Sequence, residues 1–270
     1  MKNINTILAV VDDSNLSNQI LKKSIELATQ FDAKVIVLHT IHIPFLNLAL
    51  YSDDVPIDKD KIKENIDTLF ESLNKEGQIK HHTLVYFGDP SERASLEANR
   101  DNVDFIIGGS NINFEKLLRE VNKSILVVKE NSREYNTIII PTDLSEKSKE
   151  AINFIKTNFS TKNLNMVYGY ESIAMVTSMY DINYIEMIEY QRENKNIASK
   201  LLTKFEKAVA LDGELTDVAF SLAHGLLKYL NNKNPDLIVV ASYSGKNELF
   251  IGSTSSYLAK ESKNDLLIFC

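Results

Sequence analysis

The residues of this chain best suited to meeting a phosphate are Gly252-Ser253-Thr254, which follow an apolar Leu249-Phe250-Ile251 and open a helix-period segment. Small residues at a helix start let an anion reach the unbonded backbone N–H groups, where the helix dipole favours negative charge. The hydroxyls of Ser253 and Thr254 add donors, although a glycine-serine pair also suits a plain turn and cap. Carboxylates come from elsewhere in the chain. Asp12 with Ser14, and Asp143 with Ser145, each follow a short apolar run. The serines fit N-caps; the aspartates, at a strand end facing a crevice, fit either a cap or a ligand contact.

Other chemistries find less support. His39 and His42 have metal-like spacing, but strand alternation turns their rings to opposite faces. Asp53, Asp54, Asp58 and Asp60 lack the glycine and closing glutamate of a cation loop. His81 and His82, at a strand start, read as solvated, and the single cysteine, Cys270, as an ordinary residue at a strand end. Met166, Met175, Met179 and Met187 read as packing. The apolar residues from Ile41 to Tyr51 read as core or inter-domain cover, with a groove for a partner or lipophilic ligand as the sharper alternative.

Bulk properties narrow the class. A net charge of −7 and no run of Lys or Arg argue against nucleic-acid binding. No apolar stretch approaches the roughly 20 residues of a membrane span, and residues 1–6 lead into a strand without a signal-like apolar core. A single thiol forms no internal disulfide. The expectation is a cytoplasmic protein without membrane or nucleic-acid partners.

An internal repeat organises the chain. Asp12 and Asp143 lie 131 positions apart, as do Ser14 and Ser145; Asp104 and Asp236, each opening an apolar run, lie 132 apart. Duplication explains offsets this similar, with a polar boundary near residues 131–134. In each half, apolar runs alternate with helix-period segments, the pattern of a parallel sheet with crossover helices. Strands are expected near 4–11, 34–41, 82–87, 103–108 and 124–129, then near 135–141, 163–169, 215–220, 236–241 and 265–269. Helices are expected near 15–31, 57–75, 90–100 and 112–122. The first has a buried stripe of Ile20, Leu21, Ser24, Ile25, Leu27 and Ala28. A long helix near 181–211 would bury Ile185, Ile188, Ile197, Leu201 and Phe205 and stop at Gly213. Sheets of this kind bind ligands outside the carboxyl ends of their strands. There the copies diverge: between the fourth and fifth strands the first is nine residues shorter, which removes the segment that would hold phosphates.

The Asp-x-Ser openings, the apolar strands ending near Gly108 or Ala241, the Gly88-Asp89-Pro90 turn and the Gly-Ser-Thr helix start resemble the universal stress protein family. The resemblance covers nearly the whole chain, taken twice. It implies an α/β fold of two tandem Rossmann-like (adenine nucleotide alpha hydrolase-like) domains, each a five-stranded parallel sheet flanked by helices, over residues 1–131 and 132–270. It also implies an ATP or AMP site in the second domain, with Mg²⁺ accompanying ATP. Pro141 and Asp143 match the motif after the first strand, and Gly169 the adenine side of the second. Ala241 and Ser244 fall at two glycine positions, and Gly252, Ser253 and Thr254 at the phosphate-loop end. The chain departs from the pattern in both leading glycines and in a spacer of seven residues rather than nine. Where the first copy has Gly88-Asp89-Pro90, the second runs Ala223-His224-Gly225-Leu226.

Two functions follow. One is a non-catalytic stress-response protein binding ATP or AMP in its second domain; the other is an interaction scaffold whose site has decayed and carries no nucleotide. Enzymatic relatives would carry His-x-Gly-His or Ser-Gly-Gly-x-Asp-Ser, and neither string occurs. Slow ATP hydrolysis is the one activity left open. The resemblance further implies that the two domains pair within the chain through strands 124–129 and 265–269, a pairing that fusion favours. An unknown protein partner stays open.

Overall fold

A computed structural model describes residues 4–41, 57–75, 77–171, 184–218, 221–244, 249–250 and 252–270. The expectations about residues 42–51, Asp53, Asp54, Met175 and Met179 lie outside these residues, as do those about the side chains of Ile185 and Met187. The chain divides into two units, Met1–Glu130 and Asn131–Cys270.

The first unit runs β1 (Thr6–Val11), α1 (Leu16–Phe31), β2 (Lys34–Ile41), α2 (Lys59–Leu73), β3 (His81–Phe87), α3 (Pro90–Arg100), β4 (Phe105–Gly108), α4 (Phe114–Glu120) and β5 (Ser124–Val127). The second runs β6 (Thr137–Pro141), α5 (Glu146–Asn158), β7 (Asn163–Glu171), α6 (Tyr184–Val209), β8 (Gly213–Val218), α7 (Leu222–Lys233) and β9 (Leu237–Ala241). It ends with β10 (Tyr243–Ser244), β11 (Leu249–Phe250), α8 (Ser253–Glu261) and β12 (Asp265–Phe269). Their parallel sheets share one strand order, β3-β2-β1-β4-β5 and β8-β7-β6-β9-β12. The order reverses between β1 and β4 and between β6 and β9, so a crevice is expected at those strand ends. Phe105 pairs with Ser124, and Leu237 with Asp265. The equivalent registers carry the shift from an offset of 132 to one of 141, which puts the nine extra residues after β9.

Every residue of β1 and β4 is buried, as expected of strands covered on both faces. On α1, Ile20, Leu21, Ser24, Leu27 and Ala28 are buried, while Ile25 is half-buried. The repeated aspartates before the fourth strand do the same work in both copies. Asp104 accepts from the backbone N–H groups of Asn5 and Thr6 at 2.9 and 3.3 Å, and Asp236 from those of Asn136 and Thr137 at 3.0 and 2.7 Å. Each ties its strand to the start of the central one.

Three local expectations are corrected. Helix α6 buries Ala198, Leu202, Phe205 and Val209; Ile197 and Leu201 are 52% and 46% exposed, and Ile188 is exposed too. The helix ends through Ala210, whose φ of 49° is left-handed, with the Leu211 N–H donating to the Glu206 carbonyl. Gly213 instead begins β8, packed where a Cβ would lie 2.9 Å from Leu202 and 3.0 Å from Met166. His81 is not solvated: its ring stacks on Phe70 at 4.0 Å, with Asp67 and Glu71 at 3.2 and 3.4 Å. Where the second copy departs from the Gly88-Asp89-Pro90 turn, Gly225 lies inside α7, close against Val218. Among the described residues no helix is long and apolar enough to cross a membrane.

Candidate functional site

The turn after the central strand is built alike in both copies. Asp143 Oδ1 accepts from the Ser145 N–H at 3.0 Å and the Ser148 hydroxyl at 2.7 Å, and Ser145 caps α5 by accepting from the Ser148 N–H at 3.2 Å. Asp12 Oδ1 likewise accepts from the Ser14 N–H and from the Ser14 and Ser17 hydroxyls. Ser14 therefore spends its hydroxyl on Asp12, and α1 has no side-chain cap. Burial works to raise the Asp143 pKa, but the hydrogen bonds from Ser145 and Ser148 together hold it below the usual carboxylate value. A depressed folded pKa gives stability that is complete above the ordinary carboxylate range and lost as pH falls through the folded value. The stability difference between the parent and Asp143→Asn is thus expected to be constant above about pH 5 and to shrink below about pH 4. Urea midpoints measured at stepped pH check this.

A cleft of about 620 Å³ opens beside this turn in the second unit, a size within the usual range for small-molecule pockets. Seven of the eight residues singled out from sequence line it: Pro141, Asp143, Gly169, Ala241, Gly252, Ser253 and Thr254. The eighth, Ser244, pairs with Leu249 in the short β10–β11 hairpin. Gly252 is the N-cap of α8 and makes no side-chain cap bond, and no acidic residue stands in the first turn. Its φ of −60° suits any residue, yet a Cβ there would meet no atom of the described residues within 4 Å. The glycine is thus required neither by backbone conformation nor by packing against the described residues. Gly169 is different, since a Cβ would lie 2.5 Å from Leu222, a residue of the cleft wall.

Sequence reading missed Lys147, Tyr168, Ser242, Leu222, Leu226 and Leu258, which also line the cleft. The two leucines of α7 have no local signal, because the fold alone brings that helix here. Ser242 follows the repeated strand and was within reach. It is 2% exposed, and its hydroxyl lies against the Cys270 thiol. Burial pushes the Cys270 thiol up, against opposing pulls from Ser242 and Lys147, which suits a structural thiol rather than a nucleophile.

In the first unit, side chains pack over the glycines at the end of the fourth strand. A Cβ on Gly109 would lie 2.4 Å from Leu16, and one on Gly108 would lie 2.7 Å from Ile112. Asn111 accepts from the Gly109 N–H, the Asn113 N–H donates to the Ser91 hydroxyl, and Asn113 caps α4 by accepting from Lys116. The Gly109, Asn113 and Lys116 amides of this segment are therefore engaged within the chain. His39, at the register position of Tyr168, is buried, with Nε2 3.7 Å from Asp13. Burial lowers its pKa, and Asp13 and Asp12 oppose that. Among the described residues no group of three His, Cys, Asp or Glu could hold a metal. Asp58 caps α2 by accepting from Lys61. Gly109→Val is expected to destabilise the unit by about 1–3 kcal/mol through overpacking, read as a lower melting midpoint.

Comparisons with known proteins extend these observations. The family model described as universal stress protein family matches twice, over residues 3–129 and 134–269. No curated protein matches. Among solved structures, a universal stress protein from Archaeoglobus fulgidus aligns with TM-score 0.66 and 15% identity, covering 99% of both chains. A functionally unknown protein from Pseudomonas aeruginosa PAO1 aligns with TM-score 0.65 and 14% identity, covering 98% of this chain and 92% of that one. At these identities the likeness establishes the fold.

Proposed function

The chain belongs to the universal stress protein family, and from that premise we propose that its second copy binds an adenine nucleotide, ATP or AMP, without turning it over. The observation that carries this reading is the open cleft at the switch point of the second sheet, where an uncapped helix start meets Gly252, whose missing side chain leaves room that no other described residue fills. Tyr168, Gly169, Leu222 and Leu226 offer a largely apolar wall for a base, and Ser253 and Thr254 offer hydroxyls and amides for phosphates. Mg²⁺ would arrive on the phosphates of ATP.

The non-catalytic part of the reading rests on the state of Asp143. Ser148 donates to it, as a nucleophile would to its base, but Ser148 is buried and the lowered pKa makes Asp143 a weak base. The first copy, with Leu16 and Ile112 packed over its glycines, fits a structural or interaction role. We also propose that the two copies pair within one chain and that the protein is cytoplasmic; light scattering at a single-chain mass supports the pairing, and a two-chain assembly opposes it.

Isothermal titration with ATP and Mg²⁺ tests the central claim. Saturable binding at one site per chain with no phosphate release supports it. Absence of both heat and melting shift at millimolar ATP and AMP overturns it in favour of a scaffold with a decayed site.

A further inference from the structure

Resting on the nucleotide reading of the same cleft, we infer that Lys147 is its cationic phosphate contact and makes the second copy prefer ligands with two or three phosphates over one. The two copies supply the contrast. Lys147 and Leu16 occupy the same place, 131 positions apart, in the first turn of the helix after the central strand. In the first copy Leu16 lies over Gly109. In the second copy the residue is a lysine that lines the cleft.

Local forces do not account for a lysine there. A cation in the first turn of a helix opposes the dipole. Lys147 does pair with Glu150 at 3.0 Å, but this is an exposed pair three residues apart with the lysine N-terminal, the weaker sense. The ammonium instead sits 5.0 Å from the centre of the Phe269 ring, at the end of β12. The strand order then grades the cleft. Tyr168 and Gly169 lie near the end of β7, Asp143 follows β6, Ser242 follows β9, and Lys147 stands over β12. Four strand ends at about 4.8 Å spacing span roughly 14 Å, enough for a nucleoside at the acidic end and its phosphates at the basic one. Ser242, buried against the Cys270 thiol, also lines the cleft between them.

The test compares AMP, ADP and ATP by titration on the parent, Lys147→Met and Lys147→Arg. The parent is expected to bind ADP and ATP more tightly than AMP. Lys147→Met should weaken ATP by about 10-fold and AMP by less than about 3-fold, and Lys147→Arg should recover most of the loss. Equal loss for AMP and ATP, or no loss for either, overturns the inference while leaving nucleotide binding intact. Inorganic tripolyphosphate separates the two claims. If it raises the melting midpoint of the parent but not of Lys147→Met, the cationic contact stands even where adenine nucleotides fail to bind. If neither ATP nor tripolyphosphate stabilises the parent, both claims fall.

Discussion

Gly252→Val is expected to abolish measurable ATP binding, a loss of more than about 30-fold, while the protein stays folded. Valine adopts the φ of −60° and ψ of 153° found at Gly252 without strain, and its Cβ would meet no atom of the described residues within 4 Å. The only local cost is a poorer N-cap, about 1 kcal/mol at most. Its methyl groups would occupy the space through which phosphate reaches the first amides of α8. Titration with ATP and a melting curve on the same sample separate the two effects. Undiminished affinity in the variant would mean that phosphate does not approach this helix, and the site would have to be redrawn. Gly109→Val, the formally matching change in the first copy, is no control, because it collides with Leu16. The physical contrast between these glycines is that one leaves room for the protein's own side chain and the other for something else.

Asp236→Ala is expected to cost the second unit about 2–4 kcal/mol, among the larger losses for one side chain. The carboxylate accepts from the backbone N–H groups of Asn136 and Thr137 and pairs with Arg133. Alanine would leave those amides without an acceptor at a position where the carboxylate is only 10% exposed. Asp104→Ala removes the equivalent bonds in the first unit, where the shorter is 2.9 Å and exposed, so a smaller loss of about 1–2 kcal/mol is expected. Urea unfolding checks both: the midpoint should fall at unchanged slope. An Asp236→Ala midpoint equal to that of the parent would show that these bonds contribute nothing net.

Much of the fold was legible because its strands are short continuous apolar runs repeated at two nearly equal offsets. Periodicity was less reliable where a helix carries more apolar surface than it buries. On α6, Ile197 and Leu201 form one stripe and Ala198, Leu202, Phe205 and Val209 the next. The two stripes differ by about a quarter turn, and packing against β7 and β8 selects the one that includes Ala198. His81 misled for a similar reason, since Phe70, Asp67 and Glu71 reach it from a helix outside its own strand. Gly213 looked like punctuation, yet it is small because neighbouring side chains need the space.

The sequence by itself determined that the chain is one domain written twice, and which copy kept a helix start with open amides. Those features lie in contiguous residues, where backbone bonding and local spacing act. Only the tertiary structure decided that a cleft opens in the second unit and that Leu16 and Ile112 pack over Gly109 and Gly108 in the first. That outcome depends on side chains from separate segments converging on one sheet edge: Leu16 and Ile112 in the first unit, Lys147, Leu222 and Leu226 in the second. Local propensity carries no information about such meetings, because whether a crevice is filled depends on the volume of residues far apart along the chain.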